Sequence, residues 1–252
     1  MLTTQRKAYL LKILKSEGRI VAKSISAELG LSEDTIRRDL RELAKEGLLQ
    51  RVHGGGLPVS PATGTFAQRQ HISTDAKVAI GRAAAKMVRH GQVIFVDGGT
   101  TTAQLVRHLP LELSATVVTH SPSIAVELIE HPNIEVIMIG GRLFKHSIVT
   151  MGPAALEAIA KIQADLYFMG VCSLHPESGL TTGDFDEAGI KRALSRAAAE
   201  TVVLASPEKL ATASPFQIVP LSDIGCIVVS KGVSKDLIAP YKKMGIEIKI
   251  AE

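Results

Sequence analysis

The chain has 252 residues, 46% of them apolar and 21% charged, which is enough hydrophobic sequence to bury a core and too much for wholesale disorder. No apolar run reaches the roughly 18 residues that a membrane span needs. The net charge is +4, and its distribution is uneven. Residues 1–57 hold 11 Lys+Arg against 7 Asp+Glu, while the remainder holds 18 of each. A polyanion-binding module on a neutral body fits that asymmetry.

The apolar start Tyr9-Leu10-Leu11 is broken by Lys12 and carries no cleavage motif, so no signal peptide is expected. Cys172 and Cys226 are the two cysteines. They cannot make a disulfide framework, and no spacing suggests zinc. A soluble cytoplasmic protein with no metal, no cofactor and no membrane partner is the expectation.

Taken in chain order, residues 4–16 read as a helix with Leu10, Leu11 and Leu14 on one face. A second helix spans about 21–29, with Val21, Ile25 and Leu29 recurring every four residues. A third spans about 33–46. Ser32 is a good N-cap, Glu33 and Asp34 suit the first turn, and Ile36, Leu40 and Leu43 make the apolar stripe. Leu48 to Val52 reads as a strand leading into Gly54-Gly55-Gly56. Three short helices and a glycine-tipped hairpin predict a winged helix-turn-helix over residues 1–57. Residues 58–74 carry Pro58, Pro61 and Gly64 and read as a linker.

From residue 75 to 252 helices alternate with short runs of β-formers. Helices are expected at 75–90, 101–109, 122–131, 152–163, 186–199 and 234–243. Strands are expected at 93–96, 116–119, 136–139, 166–169, 202–204 and 226–229, with Ile246-Glu247-Ile248 last. Continuous apolar runs between helices mean a Rossmann-like, mostly parallel sheet covered on both faces. Such sheets bind ligands at the C-terminal ends of their strands.

The third helix leaves Thr35, Arg37, Arg38, Arg41 and Lys45 off the apolar stripe. A helix fits the B-DNA major groove, where arginine pairs with guanine. Ser32 and Thr35 can bond phosphates or bases, and Arg51 and His53 on the wing reach for the backbone or minor groove. The competing reading is a solvated face, with Asp34, Asp39 and Glu42 neutralising the arginines.

In the second half, Val93 to Val96 runs into Asp97-Gly98-Gly99-Thr100-Thr101-Thr102. Adjacent glycines let backbone amides approach an anion, and the threonines add hydroxyl donors. Asp97 would repel phosphate and suits sugar hydroxyls instead. Other presumed strand ends add Thr119-His120-Ser121, Gly140-Gly141, Lys145 and Lys209. For His120 an ordinary turn residue outweighs a catalytic base, and for Lys145 a surface lysine is an equal alternative. The two cysteines read as buried and inert. Together these ends suit a small phosphorylated polyol.

Residues 6–57 resemble the N-terminal domain of the DeoR family of transcriptional regulators. Ser32, Thr35-Ile36-Arg37-Arg38-Asp39-Leu40, Leu43, Gly47 and Arg51-Val52-His53-Gly54-Gly55 carry the likeness. Gly56 stands where the family usually has Ala. The second half resembles the DeoR-type sensor domain, which is related in fold to ribose-5-phosphate isomerase and glucosamine-6-phosphate deaminase. Phe66, Arg69, Lys77, Asp97 to Thr101, Val118-Thr119, Gly140-Gly141, Gly152, Asp165, Gly170, Gly179-Leu180-Thr181, Glu187, Lys191 and Lys209 match. His120 replaces a usual Asn and Ser206 a usual Asp.

The resemblance implies that the third helix reads DNA and that a phosphorylated sugar binds the glycine–threonine loop and relieves repression. A homo-oligomer on a two-fold operator is expected. A sugar-phosphate isomerase or deaminase with an added DNA-binding domain is the rival reading, and a purely oligomerising second domain is a third.

Overall fold

A computed structural model describes residues 2–60 and 64–252. The N-terminal module contains α1 (Thr3–Glu17), β1 (Ile20–Val21), α2 (Ala22–Leu29), α3 (Glu33–Lys45), β2 (Gln50–Val52) and β3 (Gly55–Leu57). Leu10, Leu14, Ile25, Ile36, Leu40, Leu43 and Leu49 form its core. The wing has three strands rather than one hairpin, because Ile20–Val21 pairs antiparallel with Gly55–Gly56. Glycine is required there. A Cβ on Gly55 would sit 1.7 Å from the Ile20 carbonyl oxygen.

The segment read as a linker is tied down on both sides of residues 61–63, which include Pro61 and lie outside the described residues. Val59 bridges to Ala213 in parallel register, and a short helix α4 (Phe66–Gln70) follows. Thr65 caps α4 in a reciprocal box with Gln68, satisfying two orphan amides.

The second half is built on a sheet of seven strands. In chain order these are β4 (Val93–Val96), β5 (Ala115–Thr119), β6 (Ile134–Met138), β9 (Ala164–Gly170), β12 (Ala198–Leu204), β14 (Cys226–Ser230) and β15 (Glu247–Ala251). Their spatial order is β15-β14-β12-β9-β4-β5-β6, and every pairing is parallel. Helices α5 (Thr74–Ala85), α6 (Thr102–Arg107) and α7 (Pro122–Glu127) cover one face. Helices α8 (Pro153–Ile159), α9 (Phe185–Arg196) and α10 (Lys235–Lys243) cover the other. β4 shows why its run is continuously apolar. Ile94 and Val96 enter the first core and Phe95 the second.

Several expected helices end early: 75–90 closes at Ala85 and 122–131 at Glu127. Two additions were not anticipated. One is a hairpin of β7 (Arg142–Phe144) and β8 (Val149–Met151). The other is a small antiparallel sheet of β10 (Ser173–His175), β11 (Gly179–Thr182) and β13 (Phe216–Gln217).

Strand order positions the site. From β4 the chain proceeds outward to β5 and β6, then returns to place β9 on the other side of β4 and continues to β12, β14 and β15. The order therefore reverses between β4 and β9. A crevice opens at the C-terminal ends of strands at such a switch point, and the loops there are Asp97–Thr101 and Val171–Cys172.

Candidate functional site

In the N-terminal module Ser32 caps α3, its hydroxyl accepting from the Thr35 amide at 3.3 Å. Arg37, Arg38, Arg41, Arg51 and His53 are exposed, Ser32 is exposed, and Thr35 is half-buried. The acids invoked to neutralise the arginines are largely engaged elsewhere. Asp39 is fully buried and takes both prongs of Arg6 on α1. Glu42 pairs with Lys7 at 3.0 Å. Only Arg37 is held, by Glu33 at 2.6 Å and more distantly by Asp34 at 3.9 Å. Among the described residues no acid pairs with Arg38 or Arg41. The buried Arg6–Asp39 pair locks α3 against α1, so the outward face of α3 keeps an uncompensated positive stripe.

At the switch point a narrow cleft is lined by Gly98, Gly99, Thr100, Thr101, Gly170, Cys172, Glu187, Lys191 and Lys209, with Arg69 and Ser147 closing it. Its free space is about 10 Å³, room for about one water. It adjoins a larger cavity of about 360 Å³ lined by Phe144, His146, Cys172, Gly183, Asp184, Glu187 and Ser214.

The loop's shape follows from packing. A Cβ on Gly98 would lie 2.2 Å from Val149 Cγ1, so only glycine lets β8 approach. Among the described residues, two buried polar atoms in the cleft walls lack partners, the Thr101 hydroxyl and the Arg69 Nε. Unpartnered buried donors cost about 1–3 kcal/mol each and mark a place where a ligand supplies the acceptor.

Cations crowd this cleft. Burial, reinforced by Lys209, pushes the Lys77 ammonium down to about 8. Burial also lowers Lys209. For Lys191 burial again opposes the charge, but Asp97 and Glu187 outweigh it and raise the group.

Asp97 does not face the cleft, which corrects the reading of it as a hydroxyl selector. It is fully buried. One oxygen accepts from His120 Nε2 at 2.9 Å, and the other accepts from the Gly170 amide at 3.0 Å and from Lys191. Burial alone would raise its carboxyl, but the charges and hydrogen bonds of Lys191 and His120 hold it at about 2. His120 Nδ1 meets the Thr150 carbonyl at 3.0 Å. Both ring nitrogens are thus engaged, one by the backbone and one by a carboxylate. The residue is an internal tie between β5, β8 and the loop.

Other expected ligands are also structural. Thr102 donates to the Gly99 carbonyl at 3.0 Å. Thr119 donates to the Val96 carbonyl at 2.7 Å, and Ser121 to that of Ile148 at 2.8 Å. Gly140, Gly141 and Lys145 are exposed and lie outside the cleft lining. Thus the cleft gathers Gly98, Gly99, Thr100, Thr101 and Lys209 from the expected set. It adds Arg69, Cys172, Glu187 and Lys191. Cys172 is half-buried at the cleft rather than sealed in the core, unlike Cys226. A signal for the α9 pair was present: Glu187 and Lys191 sit four apart on the same face as Ile190 and Leu194.

Residues 6–61 match the DeoR-like helix-turn-helix domain and residues 72–231 the DeoR C terminal sensor domain. The chain is 36% identical to the HTH-type transcriptional regulator GlpR of Haloferax volcanii over 98% of both chains. It is 27% identical to the HTH-type transcriptional repressor GlcR of Bacillus subtilis, covering 100% of this chain and 98% of that one. It is 29% identical to the glycerol-3-phosphate regulon repressor of Escherichia coli over 77% of each. Among solved structures, ribose 5-phosphate isomerase A of Methanocaldococcus jannaschii aligns with 54% of each chain at 20% identity and a TM-score of 0.39. The full-length relatives are regulators, so the isomerase-or-deaminase alternative gives way. The chain belongs to the DeoR family of transcriptional regulators, in which a DNA-binding helix-turn-helix module is joined to a sensor domain.

Proposed function

We propose that this regulator is a repressor of a carbohydrate operon, that α3 and the wing hold its operator, and that a phosphorylated sugar in the cleft at the β4–β9 switch point releases it. The observation that carries the sensor half is the unpartnered, buried Thr101 hydroxyl beside the Gly98–Gly99 backbone and Lys209. Amides, a hydroxyl and a cation are the donor set that a phosphoryl group requires. The adjoining cavity offers Glu187, Asp184 and Ser214 for sugar hydroxyls and the Phe144 ring for an apolar sugar face. Thr119, His120, Ser121 and Asp97 support the loop from behind.

The protein acts in this reading as a homo-oligomer, matching the two-fold symmetry common in operators. The test is a calorimetric titration of a sugar-phosphate panel into wild type and Thr101→Val, which keeps shape and removes a donor. A hit should bind wild type and lose about three- to tenfold in the variant, the worth of one hydrogen bond. Equal affinity in Thr101→Val and in Lys209→Met would place the pocket elsewhere.

A further inference from the structure

We propose that Arg69, on the linker helix α4, grips the anionic group of the ligand and so writes cleft occupancy directly into the linker that leads to the DNA-binding wing. The proposal rests on the reading of the cleft as an anion site and adds the residue through which it is read.

Arg69 is 7% exposed. One terminal nitrogen donates to the His146 carbonyl at 2.9 Å, while Nε is buried with no partner and its side chain closes the cleft beside Thr101, Lys191 and Lys209. A guanidinium edge with an unused N–H, beside Thr101 and Lys209, suits a tetrahedral dianion.

With about 10 Å³ of free space, the cleft must widen to admit such an anion. Most of its walls cannot give. Gly98 is wedged against Val149, and Gly170 and Lys191 are fastened to the buried Asp97. Lys209 lies in a 3-10 turn whose amide is tied to the Ser206 carbonyl. The remaining walls are Ser147 in the β7–β8 turn and Arg69 on the linker helix. There the Arg69 side chain is anchored by one carbonyl and lies 5.7 Å over the Phe66 ring of its own helix, and the α4 backbone is held by Lys77 donating to the Arg69 carbonyl.

The linker meets the same cleft a second time. Ser60 donates to the Cys172 carbonyl, the Ala213 amide donates to the Pro58 carbonyl at 3.4 Å, and Leu57 is already the last residue of wing strand β3. A cleft that widens to take an anion therefore acts, through Cys172 and Ser60, on the chain three residues from the wing. This is a differential contact between occupied and empty states, which any ligand-driven switch requires.

The test uses full-length protein with inorganic phosphate as probe, read by calorimetry and by amide hydrogen exchange. Wild type should bind phosphate and slow exchange at 98–101, at 66–70 and in the wing at 50–57. Arg69→Met should weaken phosphate roughly tenfold or more, and Arg69→Lys should recover part of that, as expected for a charged hydrogen bond. Thermal midpoints without phosphate show that both variants are folded. Ser60→Ala should bind phosphate like wild type yet lose the protection at 50–57.

Each opposing result is distinct. No phosphate binding by wild type overturns the anion reading itself. Binding by wild type with equal affinity in both Arg69 variants leaves that reading standing and overturns the role of Arg69. Protection confined to 98–101 in wild type overturns the link to the wing.

Discussion

Arg38 and Arg41 stand on the outward face of α3 with no acid paired to them among the described residues, whereas Arg37 is held by Glu33. The two free guanidinium groups are therefore ready to meet DNA without first breaking an ion pair. Arg38→Ala should cost about 1–3 kcal/mol of specific affinity for an operator selected from random duplexes, if that side chain meets a base. Arg37→Ala should cost less. A salt titration separates the roles, because only loss of a phosphate contact flattens the slope. Equal affinity of wild type, Arg38→Ala and Arg41→Ala would remove this face from recognition.

Asp97 makes a second residue-scale argument. Its carboxyl is held at about 2, below the unfolded value near 3.9. The group therefore adds stability that is fully present above about pH 4 and is lost as pH falls toward about 2, some 2 kcal/mol in all. Asp97→Asn should lack that acid limb in urea midpoints measured from pH 5 to pH 2. It should also lose about 3–5 kcal/mol at neutral pH, because Lys191 is left buried without its counter-charge. An unchanged acid limb in the variant would show that other carboxylates carry it.

At the scale of elements, two glycines are placed by contact with a neighbouring strand. Gly55→Ala would drive its Cβ into the Ile20 backbone, at 1.7 Å, and should split β1 from the wing. Gly98→Ala meets the more yielding end of Val149 at 2.2 Å and should cost about 1–3 kcal/mol, the usual range for overpacking. Thermal unfolding of each variant checks the ordering, and a Gly55→Ala protein as stable as wild type would contradict the three-stranded wing.

These elements also show what was legible beforehand. β4 could be read to the residue because four β-formers are bounded by Gln92 and Asp97. The helices α1 to α3 could be read because their leucines recur at helical spacing and Ser32 caps the third. The hairpin β7–β8 was missed because Arg142-Leu143-Phe144 is short and half-exposed, with no period-two pattern long enough to count. α4 was missed although its Thr65–Gln68 capping box was in view, because five residues carry no periodicity. The site suffered for a different reason. Asp97, Thr102, Thr119 and His120 sit at strand ends, as expected, but only three-dimensional packing turns them inward. Arg69 and Lys191 reach the cleft from distant parts of the chain, which no local spacing reveals.

For the whole molecule, the two edges of the seven-stranded sheet differ in a way that predicts assembly. The β15 edge carries Glu247 and Lys249 on either side of Ile248 and ahead of an exposed Ile250, and such charges discourage pairing with another strand. The β6 edge carries one exposed acid, Glu135, and the apolar Ile137 and Met138, 40% and 44% exposed. Beside it stand Val126 on α7 and Ile129 in the following turn, 64% and 69% exposed. An open strand edge flanked by apolar side chains is a surface that a second copy can cover. A two-fold axis there would bring the same residues together from both chains. Antiparallel pairing of two β6 strands would extend the sheet across the dimer. Light scattering at micromolar concentration should therefore give twice the 26.8 kDa chain mass or a larger even multiple. Ile129→Lys combined with Met138→Lys should yield monomers whose thermal midpoint becomes independent of concentration, as expected when folding and association are uncoupled. The same variant should keep phosphate binding, because the cleft lies at the C-terminal ends of β4 and β9, in the middle of the sheet, and draws no residue from β6. A wild-type protein that stays monomeric with and without DNA would defeat the dimer. A double variant that still dimerises would move the interface away from this edge.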